Sequence, residues 1–379
     1  MISSHLGSTV PYPHRLRVAC TYASAITCYP RETLFKSEIG IPFTLQTRHK
    51  PAPPHIADMA EPRTRWLDSA RGAGAVLVVV GHVERGLTGA GLAEGEAFQR
   101  FDLALYTFHM PLFFLLAGIN SGRSIDRSWL ILLRRKIVTI IYPYILWSLV
   151  QGSVVAVMAK STTGMHNWHD LLLIAWRPMA QFWFLYALFV YSIGAAVLRG
   201  NAVLILAIGM IAVVAADHVH PGSPIDLGLH HMIFFGVGMA FSRRIIAWCP
   251  RRILWVAGAA AAVWVVGWQI VPHGQRFAYL TVRALPCAFA GSVCVMAAAQ
   301  SVGVLLQTLL AWLGKRAMAI FVFHILAASG VRIGLVLADV SLSASQHMIL
   351  GTACGLALPC AVQTIAERLG IARVLALKA

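Results

Sequence analysis

Apolar residues recur along this chain in long blocks separated by short polar or basic stretches. A helix needs about 20 mostly apolar residues to cross a bilayer. Blocks of that size fall at residues 69–87, 102–121, 137–159, 180–198, 201–216, 230–247, 253–271, 280–299, 317–337 and 346–366. The pattern predicts an all-α polytopic membrane protein, a bundle of about ten transmembrane helices. Spans four and five meet at the short turn Arg199-Gly200-Asn201. The apolar stretch 302–313 is too short to cross and reads as interfacial. Residues 1–60 follow a different pattern. Pro11, Pro13, Pro30, Pro42, Pro51, Pro53 and Pro54 punctuate a polar, basic stretch that has no span. This part reads as a disordered or mis-started N-terminal tail, with Met59 a sensible initiator just before the first span. Residues 61–379 read as one membrane domain.

Composition agrees with the pattern. Of 379 residues, 58% are hydrophobic and 12% charged, where soluble domains carry about a quarter charged residues. The formal charge of +16 would suggest nucleic acid in a soluble chain. In a membrane chain it reports the excess of Lys and Arg on the cytoplasmic side, so no nucleic-acid partner is expected. An even number of spans puts both termini on one side. After residue 60 that side collects eighteen Lys and Arg residues and the other side six, which predicts cytoplasmic termini. The seven cysteines are scattered and form no C-x-x-C, so they imply neither a disulfide framework nor a zinc site.

The polar residues inside the apolar blocks carry the candidate chemistry. A histidine in hydrocarbon is expensive and points to function. His82 ends the run 72–81, His109 opens the segment FHMPLFFLLAG at 108–118, and His324 interrupts the ninth span. Counting about 1.5 Å per residue, His82 and His109 lie roughly 7–11 Å below the outer edge and are expected to meet across a helix pair. His324, counted from the cytoplasmic side, lies about 10 Å in and need not touch them. Pro111 removes the helical bond to the Thr107 carbonyl, one turn from His109. Arg71 follows Asp68 by three at the cytoplasmic mouth of span one, and Arg134-Arg135-Lys136 precedes span three. Such clusters set topology, and some also bind anions through the planar guanidinium fork. Asp217-His218-x-His220 fits no strong metal motif, so no metal is expected. Trp168, Trp176 and Trp183 read as interfacial belt anchors.

Together these residues resemble the acyltransferase-3 family of integral membrane acyltransferases. Arg65-Trp66-Leu67-Asp68-Ser69-Ala70-Arg71-Gly72 followed by Gly81-His82 resembles its first-span motif. FHMPLFFLLAG resembles its second-span motif, especially in the fucose 4-O-acetylase-like branch, which includes nodulation-type fucose acetylases. Arg134-Arg135-Lys136 with Pro143, Phe182-Trp183-Phe184-Leu185, and Leu313-Gly314-Lys315-Arg316 through Phe323-His324 resemble later elements. Ala317 and Met318 depart from the usual residues of the last one. The resemblance implies a bacterial inner-membrane enzyme that moves an acetyl group from acetyl-CoA to a carbohydrate or lipid-linked sugar. Its implied roles are His82 as general base, His109 as acceptor-orienting group and Arg71 as donor contact. Arg134, Arg135 and Lys315 would then hold the phosphates of coenzyme A. A multi-span transporter or flippase for a glycolipid or small acid is the competing class. The sequence is silent on oligomeric state.

Overall fold

The structure is a computed structural model that describes residues 54–122, 129–158, 169–248, 252–271 and 277–377. Side chains at 54–64, 169, 170 and 270 fall outside that description. Residues 1–53 of the expected tail lie outside it too, as do His166, Trp168 and His273 among the candidate residues.

The described residues form helices and no strand. In chain order they are α1 (Pro54–Gly89), α2 (Glu96–Tyr106), α3 (His109–Ser121), α4 (Trp129–Lys136), α5 (Tyr142–Val157), α6 (His169–Leu172), α7 (Trp183–Val197) and α8 (Ala202–Ala216). There follow α9 (Pro224–Ala240), α10 (Ser242–Ile246), α11 (Ile253–Ile270), α12 (Leu285–Ser301), α13 (Val304–Lys315), α14 (Ala317–Leu337) and α15 (Ala344–Arg368).

Six helical stretches are long and apolar enough to cross a membrane: Glu96–Ser121, Trp129–Val157, Ala180–Val197, Val282–Ser301, Ala317–Leu337 and Ala344–Arg368. They coincide with six of the ten expected spans. The other four expected spans are also helical, but length and composition alone do not make them spans. α1 carries Asp68, Arg71, Glu84 and Arg85. The apolar stretches Ala202–Ala216 and Ile253–Gln269 are shorter, and α9 has 17 residues.

Proline accounts for two local departures from regular helix. Pro143 has no N–H to give the Thr139 carbonyl, and the preceding turn, Ile137–Ile141, is a π-helix. Pro111 likewise leaves the Thr107 carbonyl free. The expected second span breaks between Tyr106 and His109, so His109 becomes the first residue of α3.

Glycine sets the tightest helix contacts. A Cβ on Gly72 would sit 1.8 Å from the Leu310 carbonyl oxygen, and one on Gly314 would sit 1.9 Å from that of Asp68. The middle of α1 and the C-terminal half of short α13 are therefore in backbone contact. This close approach is the usual means of association where lipid competes for apolar surface. Gly118 and Gly238 do the same between α3 and α9, each 2.1 Å from an opposing carbonyl oxygen. Beyond α13 the chain turns into α14, which runs parallel to α1. α15 returns antiparallel, with Gly351 against Val83 and Gly355 against Val79. Ala75, Val79 and Val83 of α1 pack with Leu313, Ile320, Ala328 and Cys360 in one apolar cluster. This four-helix core fixes the depth of the histidines.

Candidate active site

Each intramembrane histidine is held by a backbone carbonyl four residues back in the chain. Nδ1 of His82 lies 2.9 Å from the Val78 carbonyl oxygen, and Nδ1 of His109 lies 2.9 Å from that of Leu105. Nδ1 of His324 lies 2.8 Å from the Ile320 oxygen. A carbonyl oxygen can only accept, so Nδ1 carries a proton in each ring, and the neutral ring keeps its lone pair on Nε2. The helical geometry thus selects the tautomer that can act as a base through Nε2. The Nε2 atoms of His109 and His324 are buried without a partner. His82 is half-buried and lines an open cavity.

The three rings form a chain. His82 meets His324 edge-on, with centroids 4.9 Å apart. Tyr106 stands 6.3 Å from His82 and 4.4 Å from His109, perpendicular to the latter. Tyr106 therefore bridges the two histidines expected to meet. His324 does touch His82, a contact that the depth count did not require. That count measured depth from the start of His324's own span. Gly314 abuts Asp68 and Gly72, so the count begins level with Gly72. Ten residues lead from Gly72 to His82 and ten from Gly314 to His324, about 15 Å along each.

The cavity has a volume of about 540 Å³ and takes in His82, Tyr106, His109, Gln151, Gln181, Trp183, His231 and Tyr279. Gln151 and Gln181 exchange two side-chain hydrogen bonds of 3.2 and 2.8 Å. Trp183 packs against Phe114 and His231 on the cavity wall, where a belt anchor was expected. Trp176 is 77% exposed. Arg85 lies one turn beyond His82 on the same face of α1. It donates from Nε to Asp102 Oδ1 at 2.5 Å and from Nη2 to Oδ2 at 3.0 Å. Its guanidinium covers the Tyr106 ring, 3.1 Å from the centroid. This fork ties α1 to α2 and clamps Tyr106 in place. Arg85 also borders a second opening of about 870 Å³, lined by Glu84, Asp102 and Arg100 among others.

The other expected site residues lie elsewhere. Arg71 pairs with Asp68 and sits eleven residues before His82, about 16 Å back along α1. Arg134 and Arg135 are exposed on α4, and Lys315 is exposed at the end of α13. None of the four lines the cavity. His218 and His220 are exposed, while His230 is buried and bonds Asp226 Oδ1 at 2.9 Å. Among the described residues no group of three or more His, Cys, Asp or Glu is placed to hold a metal ion.

In the sequence, Arg85 was one of the six basic residues counted on the outer side. Its signal was spacing, since Arg85 follows His82 by three and so shares its helical face. Tyr106, Gln151 and Gln181 carried no comparable signal.

A helical bundle with spanning segments, and a cavity lined by two histidines of a chain of three, define a membrane protein equipped for proton transfer. The sequence model of the acyltransferase-3 family, an acyltransferase domain, matches residues 64–365. The chain belongs to that family and is a membrane acyltransferase. No curated protein matches it. No solved structure matches it either.

Proposed function

We propose that the protein is a membrane O-acetyltransferase that moves an acetyl group from acetyl-CoA to a sugar hydroxyl of a glycan or glycolipid. The supporting observation is His82: Nδ1 is engaged by Val78, which leaves a basic Nε2 on a cavity of about 540 Å³. In this mechanism Nε2 accepts the hydroxyl proton as the sugar oxygen attacks the thioester carbonyl. The tetrahedral intermediate collapses to the acetyl ester and expels the thiolate of coenzyme A, which takes the proton back from His82. His109 and Tyr106 orient the acceptor. Arg71 contacts the donor, and Arg134, Arg135 and Lys315 hold its phosphates at the cytoplasmic mouth. The thioester end then reaches His82 through the bundle.

The asymmetry of Lys and Arg supports a ten-span arrangement in a bacterial inner membrane, with both termini in the cytoplasm. The likeness of FHMPLFFLLAG to the fucose 4-O-acetylase-like branch makes fucose the first acceptor to test. It would sit on a surface polysaccharide or a lipochitooligosaccharide nodulation signal.

The test is mass spectrometry of total glycans and secreted glycolipids from cells carrying wild type, His82→Ala or a deletion. An acetyl-sized mass on a sugar, present with wild type and missing in both others, is the expected result. Its survival in His82→Ala removes His82 as the base. No acetyl difference anywhere sinks the proposal and leaves transport as the reading.

A further inference from the structure

Two guanidinium groups line the cavity, and they differ in one respect. Arg85 is neutralised by Asp102 in a bidentate pair. Arg332, on α14, has no hydrogen bond and no carboxylate within ion-pair distance among the described residues. It sits within an apolar helix long enough to span a membrane, where an unpaired arginine is costly. Its side chain does not turn away from the bundle. Nε lies 3.9 Å from where a Cβ on Gly86 would be, so the guanidinium side lies across the bare face of α1, one turn beyond His82. Ser329, one turn back on α14, lines the cavity beside it. A half-buried guanidinium on a largely apolar cavity, with no counter-charge among the described residues, is a preformed site for a phosphate or carboxylate.

Direction indicates whose anion it is. α1 and α14 are parallel, and Arg332 lies eight residues past His324. Arg332 and Arg71 are thus on opposite sides of His82. A donor whose phosphates are held on the Arg71 side reaches His82 from that side, and the acceptor comes from the Arg332 side. We infer that Arg332 binds an anionic group, a phosphate or carboxylate, carried by the acceptor close to the hydroxyl that is acylated. A sugar phosphate or a uronic acid has that chemistry. The assignment to an acceptor rests on the acyl-transfer reading above, whereas the anion site does not.

The test uses the full chain purified in lipid nanodiscs without acetyl-CoA, so it needs no turnover. Glucose 1-phosphate, glucuronate and glucose are titrated against wild type, Arg332→Gln and Arg332→Lys. Wild type is expected to bind the two anions more tightly than glucose. Arg332→Gln should weaken the anions at least about tenfold, and Arg332→Lys should fall between. Acetyl-CoA affinity should stay unchanged in both variants. Wild type binding neither anion in preference to glucose, or Arg332→Gln binding them as wild type does, overturns the anion site. A loss of acetyl-CoA affinity instead returns the group to the donor and overturns the acceptor assignment. If Arg332→Gln fails to fold, Arg332→Lys decides, because it keeps the charge and loses the fork.

Discussion

Four histidines in and beside this cavity wall share one local device. His82, His109, His231 and His324 each point Nδ1 at the carbonyl oxygen four residues back. The helix therefore fixes both tautomer and ring direction before any tertiary contact forms. Nε2 is buried without a partner in His109 and His324, whereas His82 and His231 line the cavity without that restriction. The Arg85–Asp102 fork keeps the space above His82 in shape, because Tyr106 is pressed between Arg85 and His109. Asp102→Asn keeps the size but removes the counter-charge, so the guanidinium loses its hold on α2. We expect kcat/KM for acyl transfer to fall about tenfold or more, roughly 1.4 kcal/mol of transition-state stabilisation, with the protein still folded. Unchanged kinetics in Asp102→Asn would rule out the clamp. His82 and His109 were legible in the sequence because a histidine in an apolar run stands out. Arg85, Asp102 and Tyr106 were not. At the end of a span, charges carry a topology signal that hides a local role, and a tyrosine there looks like any interfacial aromatic.

At the scale of elements, the informative one is α13. The sequence marked it as too short to cross but not what it touches, because a glycine in an apolar run is compatible with many packings. In the structure, Gly72 and Gly314 let it lie directly on α1. It acts as a spacer that sets where α14 begins, and so brings His324 level with His82. Gly314→Ala places a methyl carbon where the Asp68 carbonyl stands, and the helices must separate. Overpacking of this kind costs about 1–3 kcal/mol, which should show as a lower melting temperature with reduced acyl transfer. Gly334→Ala on α14 is the matched control. Its Cβ meets nothing within 4 Å, and alanine favours the helix by about 1 kcal/mol. If both variants melt at the wild-type temperature, α13 is not the spacer. The break at Pro111 shows the same limit in reverse. The proline foretold a lost hydrogen bond, but only the structure shows that it separates two helices and makes His109 the first residue of the second.

For the whole molecule, span number and charge bias have to be reconciled. Length and apolarity alone give six spanning stretches, whereas the charge bias was counted on ten. The parallel run of α1 and α14 links the two accounts. If α14 spans, α1 lies beside it over the same depth despite Arg71, Glu84 and Arg85. Asp68 and Gly314 then face one compartment and Arg332 the other. In a background with all cysteines replaced, Gly303→Cys precedes α13 and Ser341→Cys follows α14, and both positions are exposed. A membrane-impermeant maleimide added to intact cells should label Ser341→Cys and leave Gly303→Cys unlabelled until the cells are opened. Labelling of Gly303→Cys from outside would invert the bundle. It would place the Arg71 mouth away from cytoplasmic acetyl-CoA and remove the physical basis for donor and acceptor approaching His82 from opposite sides. The expected pattern would instead put the opening beside Arg85 and Arg332 on the outer face, so an acetyl group drawn from the cytoplasm would be handed over inside the bilayer, at the depth of His82.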